Sequence, residues 1–374
     1  MSKQLVCFLV VGRMGRSLVY SKAEPFVINP RVGSIYIFRE TEGFALPKVS
    51  YITLPVWIRK VKPEFLSRLI RLFAEPLQLI RHSARKRPDI INGYHLIPKG
   101  LNSLIAARLT RSKCIVSLIG GTVEIDTYSR FRWFMKRLNL FVLRKTDLIT
   151  TKGSVVNSYL KKNNIPLSKV LVYNGAINLE KFYFDSSVYK DIDVLFVGTF
   201  RKLKGPDRVL HILAALKKDF PGIKACFIGQ GYLYNSCVDT AKSMGISENV
   251  LFTGHIDDPA TYFQRSKILV MPSRSEGLPT SMLEAMASGC VPVVSDVGNI
   301  RDAARHGENS LVINSYQDLV SFTKHIKMLL SDEEQRSAMA QNGINDVRDN
   351  YSAFEQSKIV DKMIQKLFTV HGTI

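Results

Sequence analysis

Two carboxylates and a run of backbone amides near residue 280 could do chemistry together. The segment Ile268–Ser295 reads ILVMPSRSEGLPTSMLEAMASGCVPVVS. Its apolar run Ile268–Met271 predicts a buried parallel strand, Pro272–Pro279 a polar loop, and Val291–Val294 a second buried strand, with a helix beginning near Thr280 between them. Glu276 lies in the loop beyond the first strand's carboxyl end, and Glu284 lies inside the helix. Pro279 suits a first helical turn, and Thr280 or Ser281 can cap the orphan amides there. Helical side chains lean toward the N-terminus, so Glu284 points back toward the loop that holds Glu276. Met282, Leu283, Ala285, Met286 and Ala287 make this helix apolar nearly all round, so it is expected to be buried and Glu284 to need partners. The amides of Gly277, Leu278 and Thr280, with the positive helix end, form a place for an anion such as a phosphate. Two acceptor-only carboxylates beside it can grip the hydroxyls of a sugar or a ribose. A lone pair of glutamates is also served by blander roles, one satisfied by backbone in a core and one solvated in a loop. The surrounding chain has to decide.

The elements around this segment alternate. Val194–Val197 predicts a strand ending at Gly198, followed by the loop Thr199–Lys204 and a helix from Gly205-Pro206 to about Asp219. Ala225–Ile228 is a strand closed by Gly229-Gln-Gly231, and a helix follows over about Tyr232–Met244. Val250–Phe252 is a strand ending at Gly254. Leu311–Ile313 is the last strand, with helices from Tyr316 onward. The first half has the same rhythm. A strand over Leu5–Val11 leads to Gly12-Arg-Met-Gly15, where two glycines could let a phosphate approach. Ser17–Glu42 shows little helical pattern apart from a strand at Ile35–Phe38, and Val49–Leu54 is another strand. Lys60–Arg87 is a long basic helix with a possible break at Pro76. Pro88–His95 contains a strand, Gly100–Leu109 a helix, and Cys114–Leu118 a strand followed by the loop Ile119–Asp126. Strands at Leu148–Thr150 and Val170–Val172 flank a helix at Ser154–Lys161. Asn174-Gly175 makes a turn, and the polar stretch to Tyr189 reads as a linker. Strands alternating with helices in both halves predict an α/β protein with two doubly wound Rossmann-like domains facing a cleft, ligand being held at the carboxyl ends of the strands.

Length and charge agree with two domains. The chain has 374 residues, 46% hydrophobic and 22% charged, more than a single core usually serves. No apolar run is long enough to predict a transmembrane helix, and the first fifteen residues read as a core strand rather than a signal peptide. Five scattered cysteines without metal spacing predict reduced thiols in a cytosolic protein. The net charge of +20 is uneven: residues 1–174 hold 30 Lys and Arg against 9 Asp and Glu, leaving 22 against 23 for the remainder. A basic first half beside a neutral second half points to an anionic surface. Tyr128–Lys145, YSRFRWFMKRLNLFVLRK, mixes aromatics with Arg and Lys and has no acidic residue. Such a helix either lies in a membrane interface or packs its apolar side in the core with a basic outer face.

With this layout, the second half resembles glycosyltransferase family 4, the retaining group 1 glycosyltransferases of GT-B fold. The resemblance rests on Phe196-Val-Gly198 followed by Lys204-Gly205, Phe227-Ile-Gly-Gln-Gly231, Val250-Leu-Phe-Thr-Gly254, Pro272-Ser-Arg-Ser-Glu-Gly277, Leu283-Glu-Ala-Met-Ala-Ser-Gly289, Pro292-Val and Gly307-Glu-Asn-Ser. The order and spacing of these pieces make the resemblance specific. Asn174–Phe182 is similar to the family's passage into its second domain. The first domain resembles the family more loosely, mostly through Pro88–Arg108. The resemblance implies an acceptor- and membrane-facing domain over 1–175, a nucleotide-sugar domain over 176–352, and a C-terminal helix of 353–374 packed back on the first. It implies sugar transfer from a nucleotide-activated donor with retention and with no metal or other cofactor. Lys204 would contact the donor diphosphate, Glu284 the ribose hydroxyls and Glu276 the transferred sugar, while Gly277, Leu278, Pro279 and Thr280 hold phosphate and sugar. Backbone near Gly229 and Gly254 would select the base. Two departures stand out. Thr199 occupies a position the family often gives to Arg, with Arg201 as the substitute. Ile119-Gly120 replaces the first domain's usual His-Gly, leaving His95 or Glu124 for the acceptor or sugar side.

The function expected is transfer to a lipid-linked or polysaccharide-precursor acceptor by a cytoplasmic enzyme, peripheral on the inner face of the membrane, with no nucleic-acid partner. The alternative is a non-catalytic nucleotide-sugar-binding protein whose basic half meets a membrane or nucleic acid. A GT-B epimerase or phosphorylase is a weaker third reading.

Overall fold

The computed structural model describes residues 4–12, 14–40, 43, 45–61, 64–126 and 132–368. The chain divides into two compact units, Met1–Ala176 with Ala353–Ile374, and Ile177–Ser352.

In the first unit the strands are β1 (Leu5–Gly12), β2 (Val32–Arg39), β3 (Val49–Thr53), β4 (Ile90–Tyr94), β5 (Lys113–Ser117), β6 (Leu148–Thr151) and β7 (Val170–Val172). All pair in parallel in the order β3-β2-β1-β4-β5-β6-β7, with Leu9 opposite both Ile37 and Asn92. Helices α1 (Arg16–Val27), α2 (Val56–Lys60), α3 (Glu64–Lys86), α4 (Leu101–Thr110), α5 (Arg132–Lys145) and α6 (Ser154–Lys162) belong to this unit. The second unit carries β8 (Ile192–Val197), β9 (Ala225–Ile228), β10 (Val250–Gly254), β11 (Ser266–Met271), β12 (Val291–Ser295) and β13 (Leu311–Ile313), also parallel, in the order β10-β9-β8-β11-β12-β13. Its helices are α7 (Pro206–Leu216), α8 (Tyr234–Ser243), α9 (Ala260–Gln264), α10 (Thr280–Ala287), α11 (Leu319–Ser331) and α12 (Glu333–Tyr351). The last helix, α13 (Ala353–Phe368), lies against α1 and buries Val360, Met363, Ile364 and Leu367 in the core of the first unit.

Strands buried on both faces need near-continuous apolar runs. Cys7–Val11 and Ile268–Met271 meet that need, every one of those side chains being buried. In each sheet the strand order reverses at one point, between β1 and β4 and between β8 and β11. Chains leave such a pair toward opposite sides of the sheet, which opens a crevice at their carboxyl ends. In the first unit Gly12 and His95 stand there, and in the second Gly198 and the loop after Met271.

Three expectations are corrected. Residues 16–27, expected to show little helix, form α1. It has apolar contacts around most of its circumference and Pro25 inside it, so it lacks the one-sided periodicity that marks a helix in sequence. Helix α3 continues through Pro76 without a break. At the start of α10 the cap is Pro279, with no side-chain capping bond from Thr280 or Ser281. The part of the aromatic basic segment at 127–131 falls outside the described residues. All five cysteines are free and buried, and burial pushes the Cys237 thiol up to about 11, which keeps it unreactive at neutral pH.

Candidate active site

The second unit's site is made by two loops that leave the carboxyl ends of β8 and β11 and are tied together. The β8 loop turns at Arg201, whose carbonyl accepts from the amides of Lys204 (2.9 Å) and Gly205 (3.2 Å). Gly205 has φ +73°, and a Cβ there would meet the Arg208 guanidinium at 2.3 Å. That space is needed, because Arg208 donates from Nε to the Pro272 carbonyl (2.9 Å) and from Nη2 to Lys202 O (3.0 Å). The Arg274 amide donates to Leu203 O at 2.8 Å. Arg208 is thus a positioning residue: it fastens the loop bearing Lys204 to the loop bearing Glu276.

Lys204 Nζ donates to both carboxylate oxygens of Glu276, at 2.7 Å each. The Glu276 side chain is 6% exposed and that of Lys204 26%. A carboxylate so far from water needs a partner for its oxygens, and the lysine supplies one to both of them. The loop's far side rests on Gly298. With φ +61°, Gly298 lies so close that a Cβ would sit 1.9 Å from the Glu276 carbonyl oxygen, and the neighbouring Asn299 amide donates to Gly277 O at 3.0 Å. Helix α10 then begins with Leu278 and Pro279 buried beneath it and Thr280 half-buried. Glu284, one turn in, is 8% exposed. Among the described residues, the amides of Gly277 and Leu278 donate to no backbone oxygen; in the first turn of α10 the Met282 amide donates to Pro279 O at 3.2 Å, leaving the amides before it without a helical partner. Arg201 is exposed.

Glycines crowd the ends of β8–β10. Gly229, at φ +137°, would place a Cβ 1.9 Å from Gly198 O, and its amide donates to Gly254 O at 2.8 Å. At Gly254 (φ +72°) the near neighbour of an added Cβ would be Gln230 Nε2, at 3.6 Å. This leaves bare backbone at three adjacent strand ends, a surface a flat ring can approach.

In the first unit, the structure joins His95 and Glu124. His95 Nδ1 lies 2.6 Å from Glu124 Oε1, which also accepts from the amides of Gly120 (2.6 Å) and Ile119 (3.3 Å). That hydrogen bond raises the histidine pKa, outweighing the opposing effect of burial. An imidazole therefore stands beside the Ile119 loop, supplied from the end of β4. At Gly12 (φ +65°) the near neighbour is Lys99, whose Cε would be 2.7 Å from an added Cβ. Lys22 and Lys152, both fully buried, donate to the same Asn174 carbonyl. Burial lowers both pKa values, that of Lys152 to about 8. The sequence reading missed Arg208, Gly298 and this lysine pair. Arg208 had a signal, sitting four residues after Lys204 in the first turn of a helix. The other two depend on contacts between distant segments.

No group of three or more His, Cys, Asp and Glu side chains among the described residues is placed to hold a metal. None of the described helices is long and apolar enough to cross a membrane.

Residues 180–346 match the family described as glycosyl transferases group 1. Among curated proteins, the chain is 23% identical over 311 residues to the capsular polysaccharide biosynthesis glycosyltransferase CapM of Staphylococcus aureus, covering 77% of this chain and 80% of CapM. It is 27% identical over 269 residues to an alpha-1,4-N-acetyl-D-galactosaminyltransferase of Campylobacter jejuni, covering 70% of this chain and 72% of that one; the name of that enzyme gives its acceptor as a saccharide on PP-undecaprenol. Among solved structures, Anabaena HepE in complex with UDP-glucose superposes with a TM-score of 0.77 at 14% identity, over 97% of this chain and all of that one. Sucrose-phosphate synthase of Thermosynechococcus elongatus gives 0.79 at 16% identity, over 98% of this chain and 100% of the other. At these identities the solved structures speak for the fold.

Proposed function

We propose that this chain, a member of the group 1 glycosyltransferases, moves a sugar from a nucleoside-diphosphate donor to a lipid-linked or polysaccharide-precursor acceptor, with retention of anomeric configuration. The observation that carries the proposal is the Lys204–Glu276 pair, held at the mouth of β11 beside the start of α10. As the glycosidic bond opens, negative charge grows on the diphosphate and positive charge on the sugar ring. Groups already fixed where those charges appear lower the barrier. The Lys204 ammonium, the amides of Gly277, Leu278 and Thr280 and the α10 N-terminus face the diphosphate, with Arg201 free to swing in from solvent. A diphosphate drawing on Lys204 leaves the buried Glu276 carboxylate less compensated, beside a ring that is becoming cationic. Glu284 takes the ribose hydroxyls, and bare backbone at Gly229 and Gly254 takes the base. In a same-face reaction the departing phosphate oxygen accepts the proton of the attacking hydroxyl. His95, oriented by Glu124, serves the acceptor or sugar side.

The positive charge is supplied by protein groups, so turnover is expected to be unchanged by EDTA; a fall restored by added magnesium overturns that part. A screen of UDP-, GDP- and ADP-sugars with lipid extracts, followed by proton NMR of the product's anomeric centre, tests the whole. An inverted centre overturns retention, and donor hydrolysis without transfer to any acceptor overturns the acceptor class.

Large apolar side chains in solvent support peripheral membrane attachment through the basic first unit. In α3 Leu72, Phe73 and Leu77 are 56%, 67% and 66% exposed, and in α5 Trp133 and Phe134 are 67% and 59% exposed, with Arg137 stacked on Trp133 at 4.0 Å. Amphipathic helices of this composition bind anionic interfaces. The chain is expected to co-sediment with phosphatidylglycerol vesicles at low salt, and Phe73→Asp with Leu77→Asp to reduce the bound fraction several-fold without loss of fold. Absence of binding at low salt refutes the attachment.

A further inference from the structure

The first unit holds a second set of charged groups that the transfer reaction leaves unused. Arg39 ends β2 and Glu40 follows it. Arg71 and Glu75 are four apart on α3 and so share a face. Lys99 reaches in from the segment after β4. Arg71 Nη1 meets Glu40 Oε1 at 3.0 Å, and Lys99 pairs with Glu75. Those four side chains are only 13–21% exposed. They line a cavity of about 210 Å³, with Asn102 and Leu72 completing the wall. A second, much smaller cavity of about 30 Å³ continues from the shared residues down to Gly12 and Arg39, over an apolar floor that includes Phe38 and Leu54.

The donors here outnumber the acceptors. Arg39 donates from Nη2 to Met14 O at 3.2 Å, while its Nε and Nη1, and Nε of Arg71, are buried without a partner among the described residues. Among the described residues, three cations face two carboxylates. Buried donors left without acceptors are costly, and the planar guanidinium fork fits a carboxylate or phosphate. The two glutamates, acceptors only, suit hydroxyl groups.

We propose that this pocket is an anion site for the acceptor: it takes a phosphate or carboxylate carried on a hydroxyl-bearing sugar, with Arg39 and Arg71 on the anion and Glu40 and Glu75 on the hydroxyls. The assignment to the acceptor rests on the transferase reading above. It narrows the acceptor to an acidic saccharide, either phosphorylated or a uronate.

Calorimetry on the full chain tests it, with glucose 1-phosphate, glucuronate, inorganic phosphate and glucose as probes. At least one acidic sugar is expected to bind about tenfold or more tightly than glucose, and whichever binds identifies the source of the anion. Arg39→Met is expected to lose about tenfold of that affinity. Arg71→Lys keeps a charge for Glu40, loses the fork, and is expected to weaken acidic sugars alone. UDP affinity should be unchanged in both variants, which shows an intact fold. Glucose binding as well as the acidic sugars, inorganic phosphate matching the sugar phosphate, or both variants binding like wild type would each overturn the proposal. The two readings fail separately. If acidic sugars bind but no nucleotide sugar is turned over, the transferase reading falls and the anion pocket stands. If transfer proceeds and acidic sugars do not bind, the pocket falls alone.

Discussion

The two units are variations on one sheet plan, yet they build their carboxyl-end crevices from different materials. The second unit uses backbone. Its strand ends carry Gly198, Gly229 and Gly254 in contact, its loops rest on Gly298 and Gly205, and a single ion pair, Lys204–Glu276, is the charged pair fixed between its two site loops. The first unit uses side chains. Arg39, Arg71, Lys99, Glu40 and Glu75 fill its pocket, and His95–Glu124 occupies the neighbouring strand ends. Backbone packed this closely has little room to move and suits groups that every nucleotide-sugar donor would share, a phosphate, a ribose and a ring. Long charged side chains adapt and select. The difference fits the proposed division of labour, in which the second unit is the fixed half of the chemistry and the first sets the acceptor.

The comparison is tested most sharply at the ion pair. Glu276→Ala is expected to lower kcat by roughly 10²–10³-fold, the scale for losing one preorganised electrostatic group, with UDP affinity little changed. In a double-mutant cycle Lys204→Met should add much less on the Glu276→Ala background than alone, because the two act as one unit. Additive losses would separate them. Next come two glycines, one in each unit. Gly298→Ala forces a Cβ into the Glu276 carbonyl at 1.9 Å on a left-handed backbone, a strain of about 1–2 kcal/mol before the loop shifts; turnover should fall roughly ten- to hundredfold. Gly12→Ala carries the same left-handed strain (φ +65°) but meets only the flexible end of Lys99, at 2.7 Å, and should cost turnover less. Equal losses at the two sites would remove the distinction between a backbone-built and a side-chain-built half.

How much of this was legible in the sequence follows the same division. Buried parallel strands announce themselves as apolar runs, so both sheets could be traced, and Glu276, Glu284 and Lys204 stand in short local patterns with mechanical meaning. The pairing of Lys204 with Glu276 was not legible, since 72 residues separate them and nothing in either pattern names the other. Nor was the His95–Glu124 contact, which depends on β4 and β5 being neighbours. Helix α1 hid because a helix buried on most sides has no stripe. The pocket of Arg39 and Arg71 hid because arginines in a basic half read as a solvated face until the fold takes them out of water.

The smallest expected effect on turnover concerns charge that the first unit buries beside the Asn174 carbonyl. Lys22 and Lys152 are 1% and 4% exposed and share the Asn174 carbonyl. Burial, with the mutual repulsion of the two ammonium groups, lowers the pKa of Lys22, and burial lowers that of Lys152 from 10.5 to about 8. A lysine whose pKa is lowered on folding penalises the folded state while both states are protonated, so the penalty is fully present below about pH 8. Between about 8 and 10.5 the unfolded chain holds a proton the folded chain has released, and stability rises with pH. Above that window both are neutral and the penalty is gone. The rise attributable to Lys152 is on the order of 3 kcal/mol. Lys152→Met is therefore expected to gain stability at pH 7, to converge on wild type near pH 10, and to leave kcat within about twofold, since the pair hydrogen-bonds to the Asn174 carbonyl and only a charge attraction links Lys152 to Glu124. Urea unfolding of both proteins across that pH range measures the difference. Parallel stability curves would show that the pair is neutral already at pH 7, and that the first unit spends its buried charge only where a ligand can use it.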